Sequence, residues 1–168
     1  SFLYCFGMNQ PGRVGLMDLD AGDDTLYGDD PDLLSIVWTG PLPAVAELGA
    51  RIGTEHTGTV ATLLERLQQA NSQGRSVHYL APYRGDTVLW LAQALGQGNA
   101  QVQQGASTAL TDAVVALREI KGDEEVAEME SALAVTADMH HAAMRASRPG
   151  TVEREVVGLM EGIVRRHD

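Results

Sequence analysis

The stretch "VALREIKGDEEVAEMESALAV", residues 115–135, decides how the chain divides. It runs from an Arg-x-x-Lys segment through a glycine into an acidic triplet and then into helical spacing. From Glu124 the pattern is strongly helical, with Val126, Met129, Leu133, His140 and Met144 at three- and four-residue steps. "SRPGT" at 147–151 breaks this helix. Thr151 is then expected to cap a second one, with Glu153 and Glu155 in its first turn and Val152, Val156, Leu159, Met160 and Ile163 as its stripe. The expected linker is 113–122 and the second domain 123–168. A hairpin with two apolar stripes, ending at "VRRHD" without a stop signal, is expected to continue.

Upstream, the texture is α/β. "FLYCF" reads as a strand interrupted by "NQPG", residues 9–12. "VGLMDLD" at 14–20 resumes, "DAGDD" at 20–24 is turn chemistry, and "TLYG" returns. "AVAELGARI" reads as a short helix with Val45, Leu48 and Ile52 on one face. The next helix carries Val60, Leu63, Leu64 and Leu67. "SVHYLAPY" at 76–83 reads as a buried strand. "DTVLWLAQALG" at 86–96 reads as a helix, with Asp86 as N-cap and Gly96 as C-cap. "AQVQQGAS" is expected to hold a last short strand. Residues 1–112 are therefore expected to form an α/β domain with a mixed sheet and helices on its faces. The chain opens without Met, so residues are expected upstream. Its start has no basic segment or small-residue cleavage site of a signal peptide.

The net charge of −11 argues against nucleic acid and against an anionic membrane surface as the main partner. No apolar run reaches the ~18 residues of a spanning helix. The single cysteine, Cys5, forbids an intrachain disulfide and is expected as a reduced, buried thiol in a cytoplasmic protein.

The candidate chemistry is sparse. Asp18, Asp20, Asp23, Asp24, Asp29, Asp30 and Asp32 crowd together. A calcium loop needs its glycine and ligands at other positions, so a solvated acidic rim is the expected reading. His140 and His141 are neighbours and point about 100° apart, so they are not the i, i+4 pair of a zinc helix. His140 is expected in the core and His141 in solvent. There is no phosphate loop, no complete dinucleotide fingerprint and no nucleophile elbow. No catalytic residue and no metal ligand is assigned.

Two stretches carry a resemblance. "FLYCFGMNQPGRVGLMDL", through Tyr4, Gly7 and Pro11, resembles the N-terminal strand region of Xaa-Pro aminopeptidases (aminopeptidase P). "LREIKGDEEVAEMESALAVTADMHHAAMRASRPGTVEREV" resembles the entry into that family's pita-bread catalytic domain. The matching residues there are Arg118, Ile120, Lys121, Glu124, Glu125, Arg148, Pro149, Gly150 and Glu153. "WTGP" at 38–41 and "VHYLAPYR" at 77–84 fit between them. Creatinases and prolidases, and some non-enzymatic relatives, share the second stretch.

The resemblance implies a creatinase-type N-terminal domain lacking its first elements, followed by a helical hairpin that opens a truncated catalytic domain. It implies two divalent metals, commonly manganese, held by residues later than any of these. A metal-bridged hydroxide would attack the carbonyl before proline in short peptides. A homo-oligomer is implied as well. Trp38 is the candidate substrate-side residue: "VWTGP" reads as loop-like, and a large ring there needs a cover. The alternatives are Trp38 packed within its own domain, a prolidase or creatinase-like hydrolase, and a non-enzymatic binding or oligomerisation domain.

Overall fold

The computed structural model describes residues 2–167. Its packing separates two units, Ser1–Val114 and Val115–Asp168. The helix Thr108–Glu119 (α7 below) crosses that division, so residues 113–119 of the expected linker are helical.

The first unit is built on a three-stranded sheet in the order β1-β2-β3. Its elements begin with α1 (Phe2–Phe6), β1 (Val14–Asp18) and β2 (Asp23–Tyr27). These are followed by α2 (Leu33–Thr39), α3 (Val45–Ile52), β3 (His56–Gly58) and α4 (Val60–Ser72). Beyond them lie α5 (Gly85–Leu95), α6 (Asn99–Gln104) and α7 (Thr108–Glu119). β1 and β2 form an antiparallel hairpin, with Val14 opposite Tyr27 and Asp18 opposite Asp23. β2 and β3 pair in parallel, from Thr25 beside His56 to Tyr27 beside Gly58. The sheet is mixed, as the α/β pattern predicts.

Strand periodicity explains why there are two cores. Adjacent residues of β2 point to opposite faces. Leu26 packs with Phe6, Met8, Val45 and Leu48 on one face, joined by Phe2 and Ile52. Tyr27 packs with Leu63, Leu67 and Ala94 on the other, joined by Val14, Leu16, Leu64, Val77 and Trp90. The stripe predicted for α3 and, from that of α4, Leu63, Leu64 and Leu67 are thus the ones that meet the sheet. At Gly15 the Phe6 ring occupies the place a Cβ would take, so α1 lies close against β1. Gly96 ends α5 in the left-handed region, at φ 63°, as its C-cap reading requires.

Several local readings are corrected. "FLYCF" is a helix, closed by stacking of Phe2 on Phe6 with ring centroids 5.1 Å apart, and Cys5 is exposed rather than buried. "SVHYLAPY" is neither strand nor helix. It is held instead by Ser107 N donating to Tyr79 O (3.0 Å) and Tyr79 Oη donating to Val102 O (3.1 Å). Local bonds with α6 and with Ser107, just before α7, thus take the place of a ladder. "AQVQQ" belongs to helix α6, entered through Gly98 N donating to Gln101 Oε1. Arg84, not Asp86, is the N-cap of α5. The Asp86 carboxylate accepts from Thr87 N and from Arg84.

The second unit holds the helical hairpin of α8 (Asp123–Ala146) and α9 (Glu153–Val164). Asp123, Glu124 and Glu125 fill the first turn of α8, and Glu125 Oε2 accepts from Gly122 N. Val152, not Thr151, is the N-cap of α9. Thr151 Oγ1 turns back to donate to Ala146 O at 3.0 Å. Ala142 and Ile163 are the buried hydrophobic side chains here, with Met139, Ala143, Val156 and Met160 half-buried. The stripe of Val126, Met129, Leu133 and Met144 is exposed, and so are His140 and His141. His140 is therefore not a core histidine. The small side chains Ala142 and Ala143 carry the contact face of α8 instead.

Candidate functional site

The densest polar constellation lies at the end of the β1–β2 hairpin. Asp18 closes β1, and its Oδ1 accepts from Asp20 N and Ala21 N, both at 3.2 Å, which shapes the turn. Helix α4 brings Arg66 over the same carboxylate. Its Nη2 donates to Asp18 Oδ2 and Asp23 Oδ1, both at 3.1 Å. Its Nη1 donates to Thr25 Oγ1 (3.1 Å) and Tyr27 Oη (3.2 Å). Arg75, just past α4, grips Asp18 with both terminal nitrogens, at 2.5 and 2.9 Å, and also reaches Asp20. Only 8% of the Asp18 side chain is exposed.

This is a structural clasp. The Arg75 guanidinium first, then the Ala21 N–H and Arg66, hold the Asp18 carboxyl far below the usual carboxylate range. A group so acidic neither gives nor takes a proton near neutral pH. The solvated acidic rim expected here is thus corrected in part, because Asp18 is a buried, doubly paired anion.

Asp29, Asp30 and Asp32 divide among helix starts. Asp29 Oδ1 accepts from Val60 N at the head of α4 (3.1 Å). Asp30 Oδ1 accepts from Val45 N at the head of α3 (2.7 Å). Asp32 caps α2 through Ser35 N (2.7 Å). Hydrogen bonds from Ser35 lower the Asp32 carboxyl from its usual range. Among the described residues no group of three or more His, Cys, Asp or Glu could hold a metal ion. The residues present do not fit a two-metal centre.

Trp38 lies in helix α2, not in a loop. No residue of α2 is buried. The Trp38 ring is 81% exposed, beside Leu33, Leu34 and Val37, which are also exposed. It is not packed within its own unit. In the second unit, two shallow grooves follow the hairpin. One, of about 370 Å³, is lined by Met139, Val157, Met160, Glu161, Val164 and Arg165. The other, of about 400 Å³, is lined by residues around Arg148–Pro149, among them Thr151 and Glu153. Trp38 is open to solvent, whereas the Asp18 carboxylate is closed to it.

The first unit carries helices on both faces of its mixed sheet, and the helical hairpin follows it along the chain. Residues 1–79 match the family model described as "Aminopeptidase P, N-terminal domain". Solved structures of Escherichia coli aminopeptidase P share the fold. Its low-pH form is 22% identical with a TM-score of 0.72, over 99% of this chain and 40% of that one. The zinc-substituted enzyme in complex with product gives 22% identity and a TM-score of 0.70 over the same shares. The chain thus spans 40% of the length of the structures it matches. Comparison with curated proteins gives no match. Among the described residues no helix is long and apolar enough to cross a membrane.

Proposed function

We propose that this chain is the N-terminal portion of a metal-dependent Xaa-Pro aminopeptidase, which removes the residue preceding proline in short peptides. The observation that carries this reading is the match of residues 1–79 to the aminopeptidase P N-terminal domain. The fold likeness to the E. coli enzyme runs on through the helical hairpin, over 99% of the chain. Two divalent metals, manganese by the resemblance, would be held by residues outside these 168. The product complex of the E. coli enzyme was obtained with zinc. The chain's own contribution is scaffolding, oligomer contacts and a cleft wall. In this reading the protein is a cytoplasmic homo-oligomer acting on proline-containing peptides, with neither nucleic acid nor membrane as partner.

Trp38 is the residue of this chain placed to touch substrate, at the mouth of a cleft formed with a neighbouring subunit. Its exposure supports this, because a bare indole ring on an apolar helix gains by being covered. The test uses the protein made from the complete reading frame. Trp38→Ala should lower kcat/KM for short Xaa-Pro peptides about tenfold, with the melting temperature nearly unchanged. Normal kinetics would remove Trp38 from the substrate side. A panel including Xaa-Pro dipeptides and creatine separates this activity from prolidase and creatinase-like ones.

A further inference from the structure

Helix α2 makes an excursion from the body of its unit, leaving at Asp30 and returning at Val45. Three aspartates punctuate the root, and each holds a different helix start. Asp29 ties the departing chain to α4 through Val60 N, while its own carbonyl accepts from Arg13 Nη1 at 3.1 Å. Beside it Gly28 N donates to Gly58 O (3.0 Å), extending the β2–β3 pairing to the root. Asp30 closes the excursion, since its Oδ1 and Val45 N, 15 residues apart, meet at 2.7 Å. Asp32 then starts α2 itself.

Inside the excursion, Thr39 Oγ1 donates to Ser35 O (2.8 Å) and Gly40 turns the chain at φ 79°. Pro41 and Pro43 stiffen the return. Because no α2 side chain is buried, apolar packing does little to hold the helix in place. Its position must come from the two ends.

We propose that Asp29 and Asp30 are positioning residues for Trp38: their caps on α4 and α3 clamp the root of the excursion and fix where α2 presents the indole. This rests on the substrate-side reading of Trp38. The clamp itself, however, is readable without any substrate. Closing a 15-residue excursion by one charged cap removes many alternative paths of the segment. Asparagine keeps an acceptor oxygen at the same place and should serve nearly as well as aspartate.

Two measurements test it. In limited chymotrypsin digestion followed by mass spectrometry, Asp30→Ala should raise cleavage within 33–39 about five- to tenfold, with cleavage elsewhere unchanged. Asp30→Asn should restore the native rate. Unchanged cleavage in 33–39, or an equal rise along the whole chain, would overturn the clamp. In the protein from the complete reading frame, Asp30→Ala should lower kcat/KM for an Xaa-Pro tripeptide about tenfold, and should add nothing in a Trp38→Ala background. Equal losses in both backgrounds would overturn action through Trp38. If Trp38→Ala is itself kinetically silent, the substrate-side reading falls, and the digestion result alone decides the clamp. The melting temperature of each variant shows that the comparison is made on folded protein.

Discussion

The N-terminal unit and the helical hairpin are built from similar helices but handle their apolar residues in opposite ways. In the first, Leu63 is fully buried, and α4 reads its stripe straight into a sheet. In the second, Leu133 occupies a comparable place in a regular stripe and is 62% exposed. Helical periodicity marks which residues could be buried together. Burial itself needs a surface to receive them, and only the first unit has a sheet with helices on both faces. The hairpin supplies one face through Ala142 and Ile163 and leaves Val126, Met129 and Met144 open.

The most direct way to sharpen this contrast is to make the same deletion in both places. Leu63→Ala should cost about 2–5 kcal/mol by thermal or denaturant unfolding, because it opens a void beneath the sheet. Leu133→Ala should stay within about 0.5 kcal/mol. Equal costs would break the comparison. It would mean that the hairpin stripe is buried in solution, by self-association for instance. Sedimentation of the purified chain, with a dye that reports exposed apolar surface, reads that outcome independently.

The Asp18 clasp adds a second contrast, since the first unit buries a paired anion beneath two arginines. Asp18→Ala should leave Arg66 and Arg75 without their shared partner and lower the melting temperature on the order of 10 °C. Acid should act in the same direction. The folded carboxyl is held well below its ordinary value of 3.8, so the stability it gives is complete above that value. That stability is lost as pH falls towards the folded value, as the native anion is forced to take a proton. Melting temperature should therefore fall steadily below about pH 5, and the fall should be shallower in Asp18→Asn. An identical acid profile in that variant would show that other carboxylates carry the acid sensitivity.

A smaller effect is expected at Gly96, where Ala would have to adopt φ 63°, at a cost of about 1 kcal/mol. Smallest of all is Trp38→Ala, whose exposed ring should leave the melting temperature within about 1 °C of the parent.

Much of this architecture could be read along the chain. Turn chemistry located the β1–β2 hairpin, and helical spacing located α3, α4, α5, α8 and α9. What escaped has physical causes. "FLYCF" has the aromatic content of a strand, but five residues are too few for period 2 and period 3.6 to be told apart. β3 is three residues, His-Thr-Gly, with no apolar alternation to announce it. "SVHYL" has strand composition, yet it is bonded to α6 and to Ser107 rather than to a neighbouring strand. The Asp18 clasp joins residues 48 and 57 positions apart, which no local pattern reveals. Trp38 stood out because "VWTGP" reads as loop-like, where a large apolar ring needs a cover. That it sits on a helix was hidden by Pro41 and Pro43 just beyond.

Under the proposed function, this chain supplies fold and positioning, and the hydrolytic chemistry belongs to residues outside these 168. The measurement that tests it most directly is a paired assay of Xaa-Pro tripeptide hydrolysis with added manganese. One arm uses the purified 168-residue chain and the other the product of the complete reading frame. The account predicts turnover by the complete product and none by the chain at any manganese concentration. Turnover by the purified chain, persisting after chelation of metal, would contradict it.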